Sequence, residues 1–142
     1  MTSAKSSVVS FLKKAIKLEY NDVFLYHKEK QNTNFSEKIK GIFEAFGNQE
    51  ISHLDFFSSE LKKRADEPTI ELAPPSGART LREMLLYHKA NEENVIIFYE
   101  TFSQSPGCMS VEDADFRKKL SRIISDEKTH LMIIEKLLKE VR

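Results

Sequence analysis

The chain has 142 residues, enough for one domain with a real core, and its 22 Lys plus Arg balance its 22 Asp plus Glu to a net charge of zero. That balance excludes the basic footprint of a nucleic-acid binder, and no apolar run approaches the length needed to span a membrane. The single cysteine, Cys108, excludes an internal disulfide framework and any Cys-x-x-Cys metal site, and it fits a reducing cytoplasm.

The N-terminus lacks a basic start followed by an unbroken apolar stretch, so it reads as helix and not as a signal peptide. Near residues 5–30, Leu12, Ala15, Ile16, Val23 and Tyr26 recur at intervals of three and four, the mark of an amphipathic helix. A second such stripe, near 35–64, runs through Ile39, Ile42, Phe43, Phe46, Leu54, Phe57 and Leu61, with Asn34-x-x-Glu37 as its expected start. The following stretch, "RADEPTIELAPPSGAR", gathers Pro68, Pro74, Pro75 and Gly77 and reads as a long connection. A third helix, near 80–104, opens on the capping box Thr80-x-x-Glu83 and carries Leu81, Leu85, Val95, Ile96, Tyr99 and Phe102. Pro106 and Gly107 then mark a break, and Ser110-x-x-Asp113 is the expected cap of a fourth helix near 110–140. Its stripe is Phe116, Leu120, Ile123, Ile124, Leu131, Ile134 and Leu138.

Short first and third connections make helices 1–2 and 3–4 antiparallel hairpins. Two hairpins joined by a long crossover are the ferritin-like form of the four-helix bundle. The expected architecture is therefore an all-α, single-domain ferritin-like bundle over residues 1–142.

Polar residues interrupt these apolar stripes in a matched way. Glu50 and His53 in "NQEISH" stand one turn apart on the stripe of Phe43, Phe46, Leu54 and Phe57. Glu127 and His130 in "SDEKTH" repeat the arrangement on the fourth helix. The first helix adds Glu19. The third offers Glu92 or Glu93, and Glu92 is preferred because it shares its face with Leu85, His88, Val95, Ile96 and Tyr99. A faint internal repeat supports that choice, since "LEYNDVFLY" and "NEENVIIFY" place Tyr26 and Tyr99 seven residues after Glu19 and Glu92. A single Glu-x-x-His is a weak signal, but six residues in matching order are not.

Four ionised carboxylates in a core cost several kcal/mol each unless compensated. No arginine or lysine on these stripes is placed to pair with them. Two divalent ions balance four carboxylates and two neutral imidazoles. An oxygen-rich set with one nitrogen per ion favours iron or manganese over the cysteine-rich surroundings of structural zinc. Two iron ions are the expected cofactor, with manganese or zinc as substitutes.

Glu19, Glu50-x-x-His53, Glu92 and Glu127-x-x-His130, in a hairpin–crossover–hairpin layout, resemble the di-iron domain of rubrerythrins within the ferritin-like superfamily. The resemblance implies that Glu50 and Glu127 bridge the irons, Glu19 and Glu92 are terminal ligands, and His53 and His130 each hold one iron. Tyr26 and Tyr99 resemble tyrosines that hydrogen-bond ligand carboxylates there, with ordinary core packing as the alternative. Two departures stand out. The chain ends at Arg142 without the four-cysteine rubredoxin-like domain of a full rubrerythrin, so a separate electron donor such as a rubredoxin-like protein is expected. Val95 stands where the family has an extra glutamate one turn after the helix-3 ligand. His27 and His88 are expected to be satisfied or partly exposed histidines and not ligands.

The leading expectation is an oxidoreductase that reduces hydrogen peroxide or O2. The alternatives are a ferritin-type ferroxidase in iron handling and a metal-binding bundle without turnover. A homodimer is expected from the ten phenylalanines, through residues such as Phe24, Phe56 and Phe98.

Overall fold

The computed structural model of the protein describes residues 4–32, 34–65, 80–109, 111 and 114–141. Five helices account for almost all of them: α1 (Ala4–Glu29), α2 (Glu37–Arg64), α3 (Leu81–Ser103), α4 (Pro106–Met109) and α5 (Ala114–Glu140). Among the described residues there is no strand, and no helix is long and apolar enough to cross a membrane. Two compact units divide the chain, Lys5–Ser76 and Gly77–Arg142 together with Met1–Ala4.

The first unit holds α1 and α2. Its stripes are buried largely as the periodicity demands: Leu12, Ala15, Ile16 and Tyr26 from α1, and Ile39, Phe43, Phe46, Phe57 and Leu61 from α2. Val23, Ile42 and Leu54 are only half-buried, at the edge of the stripes. Val8 and Phe11 extend the buried face of α1 toward its start. Aromatic rings fill the centre. Tyr26 lies with its ring centroid 5.8 Å from Phe43 and 5.6 Å from Phe46, and Phe11 meets Phe57 edge-on at 5.9 Å. Edge-to-face contacts of this kind add about 0.5–1.5 kcal/mol beyond the area buried.

The turn into α2 corrects one expectation. The cap is Ser36, whose side chain accepts from the Ile39 amide at 3.3 Å, and not Asn34. The Asn34 amide is turned back to Asn32 Oδ1 at 2.9 Å. Phe35, buried against Phe43 at 6.1 Å, anchors the chain between them and so places Ser36 at the helix start. At the far end Lys62, Lys63 and Arg64 occupy the last turn, where cations are favoured by the helix dipole.

The second unit holds α3, α4 and α5. Thr80 caps α3 as its capping box predicts, accepting from the Glu83 amide at 3.1 Å. α3 and α5 pack together, and Glu100 and Lys128 pair across them at 3.2 Å. Their buried rows are Leu85, Val95, Ile96, Tyr99 and Phe102 on α3, and Phe116, Leu120, Ile123, Ile124, Ile134 and Leu137 on α5. Leu81, Leu131 and Leu138 of the expected stripes are half-buried.

The break expected at Pro106 and Gly107 is instead one turn of helix, α4. Proline suits the first helical position, where its missing N–H is no loss. Ser105 caps it, accepting from the Cys108 amide at 3.2 Å while donating to the Phe102 carbonyl at 2.6 Å. Cys108 is buried there, and burial pushes its thiol up in pKa against the opposing pull of the Arg117 guanidinium. The crossover prolines and the Ser110-x-x-Asp113 cap lie outside the described residues.

Candidate metal centre

In the first unit α1 and α2 bring three side chains together. Glu19 reaches in from α1, and Glu50 and His53 from α2, where a spacing of three residues stacks them on one face. All three are at most 3 % exposed. His53 Nδ1 lies 3.6 Å from Glu19 Oε2 and 3.8 Å from Glu50 Oε2. One donor atom from each of the three falls within 4.8 Å of the others.

The second unit repeats the arrangement. Glu92 from α3 and Glu127 and His130 from α5 are at most 1 % exposed, with one donor atom each again within 4.8 Å of the others. His130 Nδ1 stands 3.8 Å from Glu127 Oε2. Glu93, the other candidate on α3, is exposed to solvent.

The spacing of these donors is informative. Separations of 3.6 and 3.8 Å are too long for hydrogen bonds, yet shorter than two metal–ligand bonds of about 2.1 Å placed end to end. Both oxygens of Glu50, Glu19 Oε2, Glu92 Oε2, Glu127 Oε2 and His130 Nδ1 are buried atoms that make no hydrogen bond. Among the described residues, the fully buried polar side chains include no lysine or arginine. Buried carboxylates gathered without a basic residue need another source of positive charge. The donor set, two carboxylates and one imidazole in each unit, fits a hard-to-borderline divalent ion such as iron.

Residues 10–138 match the Rubrerythrin family. The chain belongs to that family. No curated protein matches it. Among solved structures, it is similar to ferritin-like, diiron-carboxylate proteins from Bacillus anthracis str. Ames, at 22 % identity and a TM-score of 0.86, over 97 % of this chain and 99 % of that one. It is similar also to the Desulfovibrio desulfuricans bacterioferritin, whose diiron site was captured in different catalytic states, at 19 % identity and a TM-score of 0.82, over 96 % and 80 % of the two chains. The rubrerythrin-type chain thus has the ferritin-like four-helix fold, with α4 as an added turn before the last long helix.

The other sequence candidates fall as follows. Tyr26 and Tyr99 are completely buried. His27 is exposed and His88 is completely buried one turn before Glu92, and neither is among the residues gathered as ligands. Val95 is buried on the same face of α3. Sequence reasoning missed Asp22, 1 % exposed and one turn after Glu19. Its signal was available, because a carboxylate three residues beyond an inward glutamate shares its face. Glu29 and Glu60 are buried as well, Glu60 with Arg64 and Lys63 as salt-bridge partners.

Proposed function

We propose that this rubrerythrin-type protein is a di-iron oxidoreductase that reduces hydrogen peroxide or O2 with electrons from a separate donor. The observation that carries the reading is the pair of matched, buried Glu–Glu–His triads, with no fully buried lysine or arginine among the described residues. Glu19, Glu50 and His53 would hold one iron and Glu92, Glu127 and His130 the other, with Glu50 and Glu127 as the bridging carboxylates by family resemblance. Bound as a ferrous pair, the metals would supply the two electrons that an O–O bond takes up on cleavage.

The chain's own residues do the rest. The carboxylates offset the cationic charge in a medium of low dielectric. Glu50 and His53, and Glu127 and His130, are held at fixed spacing by one helical turn each, so the donor set is organised before an ion arrives. Tyr26 is wedged between Phe43 and Phe46, which fixes its ring, and Tyr99 is equally buried. These two tyrosines are the candidates to orient ligand carboxylates. The apolar rows around each triad keep bulk water from the site.

Stopped-flow oxidation of the ferrous protein tests the reading. The expected result is faster oxidation by peroxide than by air-saturated buffer. Equal rates would remove the peroxidase activity. The burial of Val95, where a family glutamate is missing, favours a metal-binding bundle without turnover as the second reading. Ferritin-type iron storage needs a shell of many subunits, so sedimentation separates it from a dimer, which cannot enclose a mineral.

A further inference from the structure

The two hairpins differ beside their ligands in a way that bears on metal loading. Superimposing Glu19 on Glu92 and Tyr26 on Tyr99 also aligns Leu12 with Leu85, Ala15 with His88, and Asp22 with Val95. On the second helices, Glu50 and His53 align with Glu127 and His130, Phe46 with Ile123, Leu54 with Leu131, and Phe57 with Ile134. Those second helices are apolar in both copies around the ligands. The first helices are not. α1 has buried Ala15 before its glutamate and buried Asp22 after it. α3 has buried His88 before and buried Val95 after. One hairpin therefore gains a carboxylate a turn from its ligand glutamate, and the other gains an imidazole. Neither Asp22 nor His88 belongs to a ligand triad.

We propose that Asp22 makes the two metal positions unequal, so that the ion held by His53 binds first and more tightly than the ion held by His130. The inference rests on the di-metal reading above. Its physical basis is simple. Residues three apart on a helix have side chains about 5–6 Å apart at Cβ, and a divalent cation gains Coulomb energy from each additional carboxylate at that range. The imidazole at the matching flank of α3 adds no negative charge. Asp22 is a specificity-determining residue in this scheme and does not touch the metal.

Anaerobic titration with Co2+, which does not react with O2 on this timescale, reads the two affinities without any turnover. Wild type is expected to show two dissociation constants separated by on the order of tenfold or more. At one equivalent, the paramagnetically shifted imidazole resonance should be the one that His53→Gln abolishes, not the one that His130→Gln abolishes. Asp22→Val, which installs the residue of the other hairpin, should weaken the first constant toward the second. Asp22→Asn keeps the shape without the charge and should do the same, which guards against a packing defect. His88→Ala should leave the first constant unchanged. Two equal constants, first occupancy at His130, or an Asp22→Asn protein with unaltered affinities would each overturn the inference while leaving the di-metal reading intact. Failure of wild type to take up two ions would overturn both.

Discussion

Glu50 and Glu19 are two acids in a site sealed from water, with donor atoms within 4.8 Å of each other. A metal ion converts that liability into stability. At free metal one hundred times its Kd, binding to the native state adds about 2.7 kcal/mol. Glu50→Ala should forfeit that gain, yet it also removes one of two like charges. In thermal melts, the variant should be less stable than wild type with metal present, and equal or more stable after chelation. An identical shift under both conditions would make Glu50 an ordinary helix residue. At this scale the sequence was legible where residues repeat: Glu-x-x-His twice, each with a glutamate on the preceding helix. It was less legible at Asp22 and His88, which have no counterpart in the other hairpin. A polar residue on an apolar stripe stands out only when its partner position confirms it.

Helix ends are set by a few short-range bonds, so their strength can be read one cap at a time. Thr80 supplies such a bond to Glu83 at the start of α3, the helix that carries Glu92. Thr80→Ala should cost about 1 kcal/mol. For a chain of this size that lowers Tm by roughly 2–4 °C, measurable by circular dichroism, whereas Thr80→Ser should be close to neutral. Thr80 was legible because its capping box stands alone before an apolar run. The start of α2 was not, since Asn34-x-x-Glu37 and Ser36 compete within three residues. Burial of Phe35 decides between them, and burial is a tertiary fact. The single turn of α4 was hidden for a similar reason. Pro-Gly reads as a breaker, although proline in the first position of a helix is well accommodated once Ser105 caps it.

Across the whole molecule, four long amphipathic stripes and two short connections were enough to reach the ferritin-like fold, because periodicity and loop length are both written in the chain. Charge placement carried the site further than hydropathy did, since inward carboxylates are costly wherever they occur. The turn around α4 leaves the chain with something its chemistry does not require. Cys108 is the only cysteine, and it is buried. Alkylation needs an accessible thiolate, and burial both shields the native thiol and raises its pKa. Because the folded thiol ionises later than the unfolded one, its contribution to stability is complete below the unfolded pKa of about 8.5 and is lost as pH rises from there through the folded value. Modification at neutral pH must then wait for α4 to open. The protein thus carries its own clock: the rate at which a maleimide consumes the one thiol, followed by mass, counts openings of the α3–α5 junction. That rate should rise with denaturant and leave the amide exchange of α1 and α2 unchanged if the junction opens by itself.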